Sequence, residues 1–405
     1  MEGVKGQVVV HKYGGTTLKD PRQLRNCGEN ICREHLQGKR PVVVVSAMGR
    51  EGDPYATDTF IGLAYAISPQ PAPRELDLLM ACGELVSATL LAVQLQELGC
   101  GAMALTGSQM GIITDDRHGD AEIQAVEIKR ILQVLEAGII PVICGFQGVT
   151  AGGELTTLGR GGSDITAVAV AAALKLDSAT IYTDVPAIKT ADPKLVKGAR
   201  PIHQLHYQEI LEMAVEGARV IHPRAVERAM ADDIRLIITS LANGDAGPTE
   251  IGPRRSVGKG EGIIRAITHI NGLKQYRVEM EPGRMAALLA EVAAAGISLD
   301  LVNLAENGHC FTVMGPNIPV VDRILQANKV TPVTRDNCSK ISLIGVGIRG
   351  VSGLMNRIYA PLTEEDIPVY YTSDSYTQIA LLIPQARLPE GINCLHRVFF
   401  GEGEE

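Results

Sequence analysis

A lysine at the end of an apolar run, followed by paired glycines, is an arrangement that can hold an anion. Lys12-Tyr13-Gly14-Gly15-Thr16-Thr17 comes directly after Val8-Val9-Val10, which reads as a strand. In a parallel α/β fold, ligands bind where strands end. Two glycines let the backbone approach phosphate oxygens, and their N–H groups form an anion nest. Lys12 adds positive charge where a transferring phosphoryl group needs it. The plainer reading is an ordinary β–α turn with a surface lysine. The chain contains no G-x-x-x-x-G-K-[ST] loop.

Gly159-Arg160-Gly161-Gly162-Ser163-Asp164 is a stronger signal. It opens a helix of Ala, Val and Thr, whose first turn offers free N–H groups and the positive end of the helix dipole. Arg160 can fork onto a carboxylate or phosphate, and Ser163 and Asp164 are expected to cap the helix. Glu84 is the only charge between Leu78 and Gln96. A buried carboxylate is costly unless paired, so its partner is an arginine or a ligand's ammonium. Tyr182-Thr183-Asp184-Val185 ends another strand, and Ala191-Asp192-Pro193-Lys194 follows as a turn. A base and ribose fit there, though alone this pattern is as well read as a plain loop.

Two patterns are set aside. Gly345-Val346-Gly347-Ile348-Arg349-Gly350 spells G-x-G-x-x-G, but too little chain follows it for a dinucleotide domain. His203 and His206 are spaced H-x-x-H without an acidic or cysteine cluster to complete a metal site, so no metal ligands are assigned.

These residues need a scaffold. The chain has 405 residues, enough for two or three domains. Hydrophobic residues are 45% and charged residues 21%, which excludes whole-chain disorder. Lys plus Arg number 38 against 46 Asp plus Glu, with no basic domain, which argues against nucleic acid. Five Phe and no Trp leave little for base stacking. Eight cysteines without a C-x-x-C pair read as free thiols in a reducing, cytoplasmic compartment. The N-terminus runs straight towards a strand, with no signal-peptide pattern. Leu78–Gln96 reads as a buried helix rather than a membrane span.

Short Val/Ile runs alternate with helical stretches. Val42–Val45, Ala102–Leu105, Ile140–Cys144 and Thr180–Thr183 read as strands. Helices are predicted from Asp20-Pro21 and over Glu75–Leu98, Ala121–Ala137 and Asp164–Leu176. Phe146–Leu158 reads as a hairpin about Ala151-Gly152-Gly153. The fold class is therefore α/β: a mostly parallel open sheet with helices on both faces. Ser240–Gly262 is rich in glycine and reads as a boundary. Beyond it, β-α-β-β-α occurs twice, the order of a ferredoxin-like module. The expected domains are 1–240, a linker 241–262, and modules 263–337 and 338–405.

In this order, the pieces resemble the aspartokinases of the amino-acid kinase family. The resemblance rests on Lys12–Thr16, Val42–Gly49, Glu75–Asp77 through Gly83-Glu84, and Leu105–Gln109. It continues through Gly145–Thr150, Thr157–Asp164, Ile181–Pro193 and Ala218–Arg224. It implies transfer of the γ-phosphoryl of MgATP to the side-chain carboxylate of L-aspartate. It also implies that Lys12, Gly14, Gly15 and Asp164 form the catalytic set. Ser46, Thr57, Glu84, Arg160 and Ser163 would bind aspartate. Lys12, Tyr13, Gly14, Gly15, Thr183, Asp184, Lys189, Lys194, Arg219 and Val220 would line the nucleotide pocket. The tail modules resemble paired ACT domains, which implies a homodimer or larger and an amino-acid effector. Gly52–Asp58 and Thr372–Ser375 are similar to the diaminopimelate-sensitive type of spore-forming bacteria. The effector implied is meso-diaminopimelate, with lysine, alone or with threonine, as runner-up. A non-catalytic amino-acid sensor and a kinase with another acceptor, such as glutamate or acetylglutamate, remain alternatives.

Overall fold

A computed structural model describes residues 8–218, 220–242, 247–253, 263–305 and 308–401. Arg219 and much of the glycine-rich stretch before residue 263 lie outside the described residues. The chain divides into two compact units. The first holds Met1–Ile188, Pro201–Ala214 and Arg219–Ser256; the second holds Lys189–Arg200, Val215–Ala218 and Val257–Glu405. Two short segments from within residues 1–240 thus belong to the second unit.

In chain order the first unit runs β1 (Val8–Tyr13), α1 (Pro21–Leu36), β2 (Arg40–Val45), α2 (Thr57–Ile67), α3 (Pro73–Glu97) and β3 (Ala102–Leu105). A single turn, α4 (Gly107–Met110), precedes β4 (Ile112–Thr114), β5 (Ile123–Val126), α5 (Lys129–Glu136) and β6 (Ile140–Cys144). Then come β7 (Gln147–Thr150), β8 (Leu155–Thr157), α6 (Gly162–Ala173), β9 (Ser178–Tyr182) and β10 (Gln204–His206). The last elements are α7 (Tyr207–Val215), α8 (Pro223–Ala231), β11 (Arg235–Thr239) and β12 (Thr249–Gly252).

Eight strands form the main sheet in the order β10-β12-β11-β9-β1-β2-β6-β3. All neighbours are parallel except β11 and β12. Val42–Val45 are wholly buried, as a β-branched strand covered on both faces must be. Asp20 caps α1, accepting from the Gln23 N–H at 2.8 Å, and Pro21 fits the first turn. The hairpin β7–β8 joins a second, four-stranded sheet, β5-β4-β7-β8.

Three expectations are corrected. Residues 121–137 are not one helix: Ile123–Val126 pair antiparallel with β4. A helical apolar stripe begins only with Ile131, Val134 and Leu135. The boundary stretch contains a strand, β12, whose buried Thr249 and Ile251 alternate with Glu250. Glycines on either side hide that period of two. Helix α3 buries one face, with Asp77, Ala81, Glu84, Ala88, Leu91 and Leu95. Leu78, Leu85, Leu90 and Val93 stay exposed.

The second unit contains two β-α-β-β-α modules. The first is β13 (Ala266–Val278), α9 (Pro282–Ala294), β14 (Asp300–Ala305), β15 (Gly308–Met314) and α10 (Ile318–Ala327). The second is β16 (Val333–Ile344), α11 (Leu354–Glu364), β17 (Tyr371–Asp374), β18 (Gln378–Pro384) and α12 (Leu388–Phe400). They pair edge to edge within the chain through antiparallel β13 and β16, giving one six-stranded sheet, β14-β15-β13-β16-β18-β17. Segment 215–218 joins this unit because Glu216 accepts from Lys340 Nζ at 2.9 Å and Ser342 Oγ at 2.6 Å. Both carriers lie on β16, and Lys340 is buried.

Candidate active site

Parallel strands end together, so the loops after β1 and β2 and the entrance of α6 share one edge of the first unit. They enclose a cleft of about 520 Å³. Its lining includes Lys12, Gly15, Ser46, Thr57, Glu84, Arg160, Ser163 and Asp164, brought together from five separate stretches of chain.

Lys12 Nζ sits 2.7 Å from Asp164 Oδ1, and both side chains are nearly buried. The pair fixes the ammonium beside the N-terminus of α6. The residue before that helix, Gly161, lies in the left-handed region at φ 77°. A Cβ there would fall 2.4 Å from His222 Cβ. The structure shows no side-chain cap for α6; Gly161 is its N-cap residue. Ser163 and Asp164 therefore do not cap it as expected and instead line the cleft. Burial holds the His222 pKa below its ordinary value, with Arg224 acting in the same direction.

Gly15 is required by close approach: a Cβ would lie 2.4 Å from the Ala47 carbonyl oxygen. Gly14 plays a different part from that expected. Its N–H donates to the Tyr182 carbonyl at 3.2 Å, so the group is engaged within the protein. Tyr13, expected among the nucleotide-lining residues, comes just before Gly14, on β1. Its ring is wholly buried, stacked on Tyr182 with 4.6 Å between centroids. Neighbouring residues on a strand face opposite ways, so Lys12 towards the cleft sends Tyr13 into the core.

Glu84 lies on the inner face of α3 and is 2% exposed. One carboxyl oxygen accepts from the Ala47 N–H at 2.9 Å. The other, Oε2, is buried without a hydrogen-bond partner among the described residues. Burial pushes its pKa up to about 8, against which the Ala47 bond and the Lys12 charge pull downwards. A cation beside that oxygen would favour the ionised form.

Thr183 and Asp184 follow β9. The Thr183 N–H donates to Thr239 at 2.8 Å, and Asp184 pairs with Arg50 at 2.6 Å. Val220 is half-buried, two residues before the His222 that abuts Gly161. Lys189 and Lys194 fall in the second unit. The Lys194 N–H closes a turn on Asp192 Oδ1 at 2.9 Å.

Residues 7–240 match the model of the amino acid kinase family. Aspartokinase 1 of Bacillus subtilis is 38% identical, over 97% of this chain and 99% of its own length. The chain belongs to the aspartokinase family. Aspartokinase of Geobacillus stearothermophilus is 36% identical over 98% of each chain. An ACT-domain model covers residues 333–397, the second module. The molecule is thus a phosphotransferase of the aspartokinase family with an ACT regulatory region. Two solved structures of Escherichia coli aspartokinase III have the same fold at 23% identity, each covering 97% of this chain and 100% of its own. The complex with lysine and aspartate gives a TM-score of 0.80, and the complex with aspartate and ADP gives 0.76.

Sequence reasoning missed several residues of this aspartokinase cleft. Arg50 lines it and stands one position beyond the Val42–Gly49 stretch. Phe146 also lines it, held at φ 69° where non-glycine residues are uncommon. Asp77 is the third. It lies two turns before Glu84 on the same face of α3 and is wholly buried. It accepts from Gly119 N at 3.0 Å, from Thr157 Oγ1, and pairs with His118 Nδ1 at 2.8 Å. Gly119 lines the cleft. Arg224 binds the neighbouring Leu158 carbonyl at 2.7 Å and Asp120. Asp77 thus ties α3 to the turn that carries Arg160. Asp77→Asn places an amide donor against donors. It should cost about 2–3 kcal/mol in urea unfolding and raise the aspartate KM more than it lowers kcat. Equal loss in both would show that the tie does not set substrate position.

Proposed function

We propose that the first unit transfers the γ-phosphoryl of ATP to the side-chain carboxylate of L-aspartate, giving 4-phospho-L-aspartate. The observation that carries this reading is the buried, unpartnered Glu84 Oε2 in the same cleft as Lys12 and Arg160. An amino acid brings an ammonium, an α-carboxylate and a second carboxylate. Glu84 receives the ammonium, Arg160 forks onto the α-carboxylate, and Ser46, Thr57 and Ser163 offer hydroxyls along the wall. The acceptor is already ionised, so no general base is required. The task is positioning and charge neutralisation. Lys12, held by Asp164, supplies the positive charge beside the transferring group, and Gly15 lets the phosphates approach the backbone.

Among the described residues, no three His, Cys, Asp or Glu side chains gather as a metal cage. Mg²⁺ would arrive on the nucleotide's phosphates, since Mg²⁺ usually keeps several waters and one or two carboxylates. When bound, it neutralises charge on the phosphates. Thr183, Asp184 and Val220, with Lys189, Lys194 and Arg219 of the same sequence pattern, are assigned to the nucleotide.

In the second module, Arg349, Thr372, Ser373, Asp374 and Ser375 line a cleft of about 210 Å³. One cation and one anion suit a zwitterion, which supports an amino-acid effector. Meso-diaminopimelate is the first choice, with lysine, alone or with threonine, the second. The reading also carries a cytoplasmic location and an assembly of at least two chains.

The test is ATP-dependent acyl phosphate formation, trapped by hydroxylamine. Aspartate should give hydroxamate, and glutamate and acetylglutamate none. Arg160→Ala should raise the aspartate KM roughly ten- to hundredfold, the worth of a charged hydrogen bond, and leave the ATP KM unchanged. Inhibition by each of the three amino acids identifies the effector. Product from glutamate alone would overturn the substrate assignment.

A further inference from the structure

Among the described residues that line the cleft of the first unit, three side chains carry positive charge: Lys12, Arg50 and Arg160. Lys12 shares its charge with Asp164 at 2.7 Å, and Arg160 is assigned to the α-carboxylate of the substrate. Arg50 serves neither of these ends. The reaction drives one anion, a carboxylate, onto another, a phosphoryl group. Positive charge where they meet is therefore what lowers the barrier.

The chain around Arg50 is built to hold it at that place. The Gly49 N–H donates to the Gly15 carbonyl at 3.0 Å, which ties the residue before Arg50 to the glycine loop. The Arg50 N–H donates to Asp53 Oδ2 at 2.8 Å, and the Asp53 carbonyl accepts from Thr59 Oγ1 at 2.7 Å. Gly49 sits at φ 85°, and a Cβ there would lie 2.4 Å from Asp53 Oδ2, so this turn closes only on glycine. The guanidinium then reaches Asp184 Oδ2, 2.6 Å from Nη2. Arg50 follows β2 and Asp184 follows β9, and β1 lies between those two strands in the sheet. Alternate strands are about 10 Å apart, so the link crosses the end of β1, where Lys12, Gly14 and Gly15 stand. Both partners are exposed, Arg50 by 69% and Asp184 by 50%. A pair so open to water stabilises little, so fold stability does not account for a cation strung across the glycine loop. Asp184 takes one N–H donor of the five that a guanidinium offers.

We propose that Arg50 is a further catalytic residue, whose guanidinium binds the γ-phosphoryl oxygens of ATP held at the glycine loop. The weak pair with Asp184 parks the side chain at the cleft mouth and yields to the phosphates. During transfer, an oxygen of the acceptor carboxylate forms the new bond to phosphorus. The bond from phosphorus to the bridging oxygen breaks, and ADP leaves with that electron pair; no proton moves. Charge spreads over the equatorial oxygens as this happens. A planar fork meets two of them at once, which the point charge of Lys12 does not. The proposal deepens the phosphoryl-transfer reading and rests on it.

Nucleotide binding tests it in the full chain with Mg²⁺ present. Arg50→Ala should fold as the parent does, since the side chain lies mostly in water. Its Kd for the non-hydrolysable analogue AMP-PNP, read by titration calorimetry, should rise roughly ten- to hundredfold, the worth of a charged hydrogen bond. Its Kd for ADP should stay close to the parent's, because ADP lacks the group that Arg50 holds. The kcat for acyl phosphate should fall by a comparable factor, with the aspartate KM at saturating ATP unchanged. Arg50→Lys should recover part of each loss, because it keeps the charge without the fork. Asp184→Asn should keep the parent's ratio between the two Kd values, because the guanidinium is still there. Equal weakening of AMP-PNP and ADP in Arg50→Ala, or weakening of neither, overturns the proposal. So does an Asp184→Asn variant that matches Arg50→Ala, which would show that Arg50 only fastens the two loops. A parent chain that binds neither nucleotide overturns the phosphoryl-transfer reading itself, and this proposal with it.

Discussion

Lys12→Ala reduces ATP-dependent acyl phosphate formation about 10²- to 10³-fold, through kcat, in a chain that still folds. One preorganised charge or donor aimed at developing charge is worth roughly 3–4 kcal/mol in the barrier. Lys12 is built for that duty, since Asp164 holds its ammonium at 2.7 Å in a nearly buried setting. The same pair complicates the experiment. Removing the lysine leaves Asp164 unpaired, and breaking a buried ion pair destabilises by several kcal/mol. Lost activity in the single variant therefore has two explanations. The double variant Lys12→Ala/Asp164→Ala separates them, because the orphaned charge is gone. It should recover much of the lost unfolding free energy in urea and none of the activity. Activity rising together with stability would mean that Lys12 is structural. Lys12→Arg retains charge but not shape, and a planar fork does not replace a point ammonium. It should stay below about a tenth of the parent rate by the same reasoning on lost preorganisation.

What the sequence revealed about this cleft follows from how local each signal is. Val42–Val45 announced a doubly covered strand because the four residues alone carry the pattern. Gly159–Asp164 announced a helix entrance, and Glu84 stood out because no other charge lies between Leu78 and Gln96. Those features sit inside single elements. The burial of the Tyr13 ring follows from the strand's alternation, because its neighbour Lys12 faces the cleft. That the Tyr182 carbonyl takes the Gly14 N–H is invisible in sequence, because the two residues are far apart along the chain. Glu216 carries no signal in its own stretch of sequence. Its partners Lys340 and Ser342 lie more than a hundred residues on, so nothing local shows that it fastens to the regulatory sheet. Arg50 pairs with Asp184 across a similar gap. Asp77 was readable in principle, since it sits seven residues before Glu84 and shares its helical face.

Glu84→Gln trades substrate binding for stability, and pH exposes the trade. In the fold, burial lifts the Glu84 pKa from 4.5 to about 8. Below the ordinary value both folded and unfolded chains hold the proton, so the residue costs nothing. Between there and about 8 the unfolded chain ionises while the fold keeps the acid neutral. Folding then takes up a proton, and stability falls as pH rises, by up to about 1.4 kcal/mol per pH unit. Above the folded pKa the penalty is constant. Glutamine keeps the Ala47 hydrogen bond and has no charge to desolvate. The variant should therefore be more stable than the parent by on the order of 2 kcal/mol at pH 7, growing towards pH 8 and vanishing near pH 4. Function runs the other way. An ammonium is held by the ionised carboxylate, so aspartate binding at pH 7 must expel the Glu84 proton. Titration calorimetry in buffers of different ionisation enthalpy should register close to one proton released. The aspartate KM of the parent should fall as pH rises from about 6 to 8, by up to tenfold per unit, because each unit exposes ten times more carboxylate. In Glu84→Gln the KM should rise at least thirtyfold, that slope should flatten, and proton release should disappear, since a neutral amide leaves the ammonium unpaired. Persistent proton release in the variant would place the ammonium elsewhere in the cleft.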